Sequence, residues 1–298
     1  MKSLKWFLVL IFLIPSIIFS DTVSLYFEND TFEHTDGYYT SGEQISYYND
    51  KDWSLKIAQQ IYTPSTKDDS FPDYGDRPYA GWLHFDYGKN IRNEDHSIDT
   101  FGIGVGVVGP WSRAELAQTT VHKMFNFSLP QGWKYQIKNE PTLQLSYFKT
   151  YSIFINDYIE YRPSAGVNLG NARTDAEIGN TLRLGYNIPG RFDPIIKTSS
   201  NLILNKTKTR TLFDTFYIYS FISVNGQAVY RDIFLDGNTF VEDEVTVDKK
   251  WNVCDIDIGL SLGFEYFDVT ITHVEKSQEF TTQTRDNRYD SIQMSFSW

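Results

Sequence analysis

The sequence predicts an all-β fold, a transmembrane antiparallel up-and-down β-barrel of about twelve strands with a short α-helix in an outer loop. Three observations predict it. In the last eight residues, Ile292, Met294, Phe296 and Trp298 alternate strictly with Ser291, Gln293, Ser295 and Ser297. Such a strand has one apolar and one polar face, as a barrel's closing strand needs between lipid and lumen. At the other end, Lys2 and Lys5 precede an apolar run from Trp6 to Phe19 and the small Ser20. That pattern predicts a cleaved secretory signal over residues 1–20 and is too short for a spanning helix. No later stretch is long and apolar enough to cross as a helix, so an exported chain that spans a membrane must do so as a closed barrel.

Bulk composition agrees. The formal charge of −11 becomes more negative once Lys2 and Lys5 leave with the signal, which disfavours general nucleic-acid binding. Aromatics make up 16% of the chain, led by 20 Tyr and 22 Phe, a composition that favours strands. Cys254 is the single cysteine, so no intramolecular disulfide forms and no cysteine follows the signal to carry a lipid anchor.

The strands follow in order. Val23–Phe27 opens the barrel, then alternating segments run over Ser41–Asn49, Leu55–Tyr62, Tyr79–Tyr87, Ser97–Val108, Pro141–Lys149, Tyr158–Gly170, Ala176–Tyr186, Phe216–Tyr230, Val253–Leu262 and Tyr266–Val274. With the closing strand they make an even set. In Val253–Leu262, Cys254 shares a face with Ile256, Ile258, Leu260 and Leu262, which reads as a small lipid-facing residue. With the N-terminus in the periplasm, the connections Glu28–Thr40, Thr63–Pro78 and Gly109–Glu140 lie outside the cell and exceed the turns at Asp50–Trp53 and Lys89–His96. The stretch Ile188–Thr215 resists this pattern, because it falls on the periplasmic side where a short turn is expected. Residues 21–298 read as one domain, and as a monomer.

Within Gly109–Glu140 the period changes. Ala114, Ala117, Val121 and Met124 or Phe125 recur at helical spacing, and Ser112 and Glu115 are spaced as a capping box. The reading is a helix over about 112–125 lying across the outer mouth and presenting Glu115, Gln118 and His122 on one face.

Two signals mislead. Gly104-Val-Gly106-Val-Val-Gly109 matches a dinucleotide-binding string, but Gly102, Gly104 and Gly106 alternate as small inward residues of a barrel wall would, with no strand–helix repeats after them. His34, His84, His96 and His273 are scattered, with no pair at metal-ligand spacing.

Three rim segments carry more polar groups than solubility requires: Glu28-Asn29-Asp30, Asp36-Gly37-Tyr38-Tyr39-Thr40-Ser41-Gly42 and Asp76-Arg77-Pro78-Tyr79-Ala80-Gly81-Trp82. Together with Tyr62-Thr-Pro64, Val108-Gly-Pro110, Gln118-x-x-x-His122 and Gly132-Trp-x-x-Gln136-x-x-Asn-Glu-Pro141, the series resembles the lipid A 3′-O-deacylase family. The match spans most of the mature chain and is densest from 25 to 190.

The resemblance implies a twelve-stranded outer-membrane barrel of a Gram-negative bacterium, whose outer-rim site cleaves the 3′-linked acyloxyacyl chain from lipid A with calcium. It implies His122 as catalytic histidine and Asn29, Asp30, Thr40 and Gln118 as further site residues. A family lysine falls after the third strand, near Lys67, which does not align cleanly. The chemistry is coherent. Histidine is the side chain whose unperturbed pKa lies near neutrality, so His122 suits a general base for water, while Asn29, Asp30 and nearby carbonyls are hard oxygen donors of the kind calcium prefers. There is no Gly-x-Ser-x-Gly elbow, so water attack ranks above Thr40 or Ser41 as nucleophile.

Lys67, Arg77, Arg113, Lys123, Lys134 and Lys138 come from the predicted outer loops, where a basic rim would meet lipid A phosphates. Expected partners are therefore lipopolysaccharide, outer-membrane lipid and, through the C-terminal strand, the barrel-assembly machinery. Two other readings stand beside the hydrolase: a non-enzymatic small pore or surface-binding barrel, and a calcium-dependent outer-membrane phospholipase. The closing strand is expected to pair with the first and so hold Glu28-Asn29-Asp30 at the rim.

Overall fold

Period-two alternation builds the whole molecule. The computed structural model describes residues 21–30, 37–65, 71, 73, 75–189, 216–243, 245–264 and 266–298. Its strands are β1 (Thr22–Asn29), β2 (Tyr38–Tyr48), β3 (Trp53–Thr63), β4 (Ala80–Arg92), β5 (Ser97–Val108), β6 (Glu140–Tyr151), β7 (Ile153–Asn156), β8 (Ile159–Gly170), β9 (Arg173–Tyr186), β10 (Tyr217–Asp232), β11 (Asn252–Phe264), β12 (Phe267–Lys276) and β13 (Asn287–Ser297). β6 and β7 form one stave interrupted at Ser152, since both run beside β8. β1 pairs with β2 and β13, and β6 joins β5 to β8, so twelve antiparallel staves close without an edge. Closure removes the unpaired backbone groups that lipid would not tolerate.

The seam is the expected one. Val23 pairs with Phe296, Leu25 with Met294 and Phe27 with Ile292. On the inner face, the Ser24 and Ser295 hydroxyls bond at 2.8 Å. Around the wall, Phe27, Ile57, Phe85, Ile103, Ile258 and Ile292 are exposed, the apolar exterior of a membrane barrel. Among the described residues no helix is long and apolar enough to cross a membrane.

The inner face is filled. Arg183 donates to Glu160 at 2.6 Å and stacks over Tyr219 at 3.9 Å. The helical turn Ile233–Asp236, whose Phe234 N–H is capped by the Asp232 carboxylate at 2.9 Å, drops Phe234 onto Tyr62 with ring centroids 4.5 Å apart. Tyr39, Trp82 and Tyr289 complete that buried cluster. Beside it, a cavity lined by Arg173, Asp232, Lys276 and Glu279 is about 10 Å³, room for one water at most. Gly104 is inward, as its alternation predicts: a Cβ there would meet Asp86 Oδ1 at 2.2 Å.

Arg77 departs from expectation. It is fully buried, donates to Glu279 at 3.2 Å and lies over the Tyr62 ring at 4.4 Å. It therefore belongs to the interior and not to a basic rim. Burial pushes the Glu279 carboxyl up, but Lys276 at 2.6 Å and Arg77 outweigh it and hold it down at about 2. The strand count around 188–215 holds, because Tyr186 pairs with Ile218 and the connection does lie at the short-turn end. Residues 190–215, the signal at 1–20, His34 and Lys67 lie outside the described residues.

Candidate active site

The connection from β5 to β6 forms the site's cover. A 3-10 turn, Gly109–Ser112, leads through Arg113, in the left-handed region at φ 60°, into helix α1 (Ala114–Phe125). The expected capping box does not form. Ser112 ends the 3-10 turn, and its hydroxyl donates back to the Gly109 carbonyl at 2.6 Å. Asn126, also left-handed, ends the helix and donates its N–H to the His122 carbonyl.

α1 lies against the outside of the wall and not across the mouth. Gly81, outward on β4, leaves the space: a Cβ there would be 2.2 Å from the Ala114 Cβ. Gln59 of β3 donates to the Ser112 carbonyl at 2.5 Å. Ile61, Tyr79, Ala114 and Trp133 pack together between wall and loop.

The helix is inside-out by the standard of a water-soluble surface helix. Its wall-facing residues are Ala114, Gln118 and His122, the last two 4% and 6% exposed. Leu116, Met124 and Phe125 point away at 62%, 73% and 62% exposed. Glu115 is exposed too, so it does not share the face of Gln118 and His122. A helix beside a barrel wall turns its apolar residues to lipid and its polar ones to the wall.

Each polar side chain is held in one orientation. The His122 Nδ1 lies 2.5 Å from the Ser128 carbonyl. A carbonyl only accepts, so Nδ1 carries the hydrogen and the neutral ring keeps its lone pair on Nε2. The Gln118 carbonyl accepts from the Trp133 indole at 2.8 Å. Its amide Nε2, sealed from solvent, has no hydrogen-bond partner among the described residues.

The β1–β2 rim approaches from the side. Asn29 ends β1 on the outward face and pairs with Ser41 of β2. Ser41 pairs with Ile61, and Ile61 with Gly81 under α1, so one row of outward positions runs from Asn29 to the helix. Thr40 occupies a bulge in β2, buried, with its hydroxyl 2.7 Å from that of Thr63. Asp30 is fully buried just past β1. It accepts the Gly37 N–H at 2.5 Å and donates its own N–H to the Thr40 carbonyl at 3.2 Å.

Ser128 lies outside every motif of the sequence, and Thr63 and Trp133 stand within motifs that assign them no role. Gly132-Trp133 stood out as a motif, but only the fold brings its indole to Gln118. Among the described residues no group of three or more His, Cys, Asp or Glu gathers to hold a metal. The donors near Asn29 are amide, hydroxyl, carboxylate and carbonyl oxygens, a set that fits a hard cation and not zinc.

The family model described as outer membrane protein LpxR matches residues 6–298. Among solved structures, LpxR from Salmonella typhimurium superposes with a TM-score of 0.81 at 22% identity, covering 93% of this chain and 100% of that one. The beta domain of the Bordetella autotransporter Brka reaches a TM-score of 0.45 at 9% identity, covering 95% of this chain and 99% of its own. Comparison with curated protein sequences finds no match.

Proposed function

Because the chain belongs to the family of outer membrane protein LpxR, we propose that it is an outer-membrane hydrolase that removes the 3′-linked acyloxyacyl chain from lipid A. The observation that carries this reading is the inverted helix: Gln118 and His122 are enclosed against the outer wall while Leu116, Met124 and Phe125 are bare. A site in that position opens toward lipid, where an acyl ester resides, and away from the filled lumen.

The side chains suit ester hydrolysis. His122 Nε2, the lone-pair nitrogen, takes a proton from water as it attacks the ester carbonyl and returns it to the leaving alkoxide. The Gln118 amide, with its carbonyl end fixed by Trp133, points a spare N–H at the oxyanion of the tetrahedral state. Thr40 orients a neighbouring group at the β2 bulge. Asn29, Asp30 and rim carbonyls would hold a calcium ion, which when bound supplies Lewis-acid polarisation. Lys67 stands as a further site residue on the strength of the resemblance alone.

The longer loops support a rim facing outward from the cell, with the site in the outer leaflet. A closed wall needs no second copy, which supports a monomer, and β13 is the element that the barrel-assembly machinery would grip. The test is mass spectrometry of lipid A from cells with and without the protein. The expected result is loss of an acyloxyacyl mass, absent with His122→Ala. Unchanged lipid A with intact folded protein contradicts the reading.

The same lipid-facing position also suits a phospholipase. Phospholipid and lipid A supplied side by side separate the two activities. The filled lumen argues against a pore, and planar-bilayer recording should give no steady conductance.

A further inference from the structure

Up to the pair Ile271 and Ile292, the outward positions of β12 and β13 are apolar, as a membrane wall requires. The next two outward pairs are His273 with Asp290 and Glu275 with Arg288. The residues between them, Thr272, Val274, Tyr289 and Ser291, are buried toward the lumen. The neighbouring stave does not change in step. On β11, Ile256 pairs with Glu275 and Ile258 with His273, and both isoleucines are exposed. Four ionisable side chains therefore stand outside the wall at a level where the next strand is still apolar.

This patch adjoins the candidate site. Asn29 of β1 faces Asp290, and Asp290 faces His273, so the outward row from α1 to Asn29 continues onto β13 and β12. Two strand spacings put the His273 backbone about 10 Å from that of Asn29. One phosphorylated sugar ring, with the side chains reaching for it, covers that span.

The four groups are arranged as two cations, each backed by a carboxylate. His273 Nδ1 lies 2.9 Å from Asp290 Oδ1, so Nδ1 is the donor and the Nε2 edge is turned away from the carboxylate. Arg288 donates Nε, at 2.8 Å, and Nη2 to one oxygen of Glu275. Its Nη1 makes no hydrogen bond among the described residues, and half of the side chain is exposed. Exposed ion pairs contribute little to stability, so stability does not explain charge in lipid-facing rows. A guanidinium with one edge fixed and the other open is already oriented to receive phosphate oxygens. The loop lysines are turned elsewhere: Lys138 donates to the Glu242 carbonyl, and Lys134 lies over the Tyr135 ring at 4.6 Å.

We propose that Arg288 and His273, held by Glu275 and Asp290, form a phosphate subsite on the outer wall. It takes the phosphomonoester of a sugar-headed lipid whose acyl chains lie along Ile256, Ile258 and Phe27. Naming that lipid as lipid A rests on the deacylase reading above, whereas the phosphate contact does not.

The experiment is native mass spectrometry of lipid binding to the refolded full-length barrel in detergent, in a His122→Ala background that keeps bound lipid intact. The probes are bisphosphorylated lipid A, the same lipid stripped of its phosphates, and inorganic phosphate. The phosphorylated lipid should bind the tighter of the two. Arg288→Ala should weaken its binding about tenfold, the loss of one hydrogen bond to a charged group, and leave the stripped lipid unchanged. Arg288→Ala combined with Glu275→Ala, which leaves no carboxylate stranded, should show the same selective loss and covers a single variant that folds poorly. Equal binding of the two lipids overturns the proposal, as does an equal loss for both in the variants. Inorganic phosphate bound as tightly as the lipid would make this a free-phosphate site and overturn it too. Lipid A masses after incubation with the His122 parent keep the two ideas apart. Arg288-dependent binding without deacylation sinks the deacylase reading and leaves the subsite standing, while deacylation with binding indifferent to Arg288 does the reverse.

Discussion

Two buried histidines sit on opposite faces of the same wall, and they teach different lessons. His84 points into the lumen, with Nδ1 2.6 Å from Asp86 and its ring stacked on Trp82 at 3.9 Å; Lys56 reaches the same carboxylate at 3.4 Å. His122 lies outside, with its Nδ1 on the Ser128 carbonyl. By partner chemistry alone His84 is the better base, since a carboxylate steadies imidazolium more than a carbonyl does. By access it is the worse one: its neighbours are the filled aromatic cluster and paired charges, and no lipid reaches it. The lumen sets charge against charge, as Arg183 on Glu160 and Lys276 on Glu279, whereas the outer site sets a neutral histidine beside an amide on a wall that faces lipid. On the proposed reading, interior polarity serves the barrel and exterior polarity serves chemistry.

The contrast can be broken from either side. The largest effect on the lumen side should come from Arg183→Ala. It removes the closest cation from the fully buried Glu160 carboxylate, leaving it Ser152 and the more distant Arg162, and should cost about 3 kcal/mol in guanidinium unfolding. Activity per folded molecule should be unchanged; a fall in that quantity would couple lumen to site. On the outer side, Gln118→Leu should lower kcat about 10²–10³-fold with unaltered unfolding, and a loss confined to KM would make Gln118 a binding group only.

Acid should act on the stability of the lumen through Glu279. Because Glu279 titrates at about 2 when folded, its contribution is full above the ordinary carboxylate range and is lost as pH falls from there toward about 2. The melting temperature of wild type should therefore drop more steeply over that window than that of Glu279→Gln, and parallel slopes would refute the assignment. The smallest change is expected at the seam. Phe296 packs on Phe267 with centroids 4.9 Å apart, and Phe296→Ala should cost about 0.5–1.5 kcal/mol of pair energy. It should appear as slower assembly on heat-modifiability gels, with activity falling only in step with folded protein.

The barrel was legible because alternation states which residues share a face, and a membrane barrel has only two faces to assign. Seam, strand number and the inward glycines follow from that rule. The helix was legible in its span but not in its facing. Spacing puts Gln118 with His122 and reads Ala114, Ala117, Val121 and Met124 or Phe125 as the other stripe, yet says nothing of which solvent each side meets; an apolar face turns inward in water and outward in lipid. Arg77 was misplaced for a related reason, since a loop position in sequence lies inside the barrel once Tyr62 and Glu279 enclose it. His273 left a readable trace, a polar ring on the register of Val269 and Ile271, which alternation alone marks as an exception. Thr40 could not be assigned a face, because the bulge after Tyr39 resets the phase of β2.

The most direct measurement is a paired assay of lipid A masses after incubation with refolded His84→Ala and His122→Ala barrels, each verified as folded by heat modifiability. The account predicts that His84→Ala still removes the acyloxyacyl chain, at reduced stability from leaving Asp86 with Lys56 alone, and that His122→Ala does not. Retained activity in His122→Ala with loss in a folded His84→Ala would move the chemistry into the lumen and contradict it.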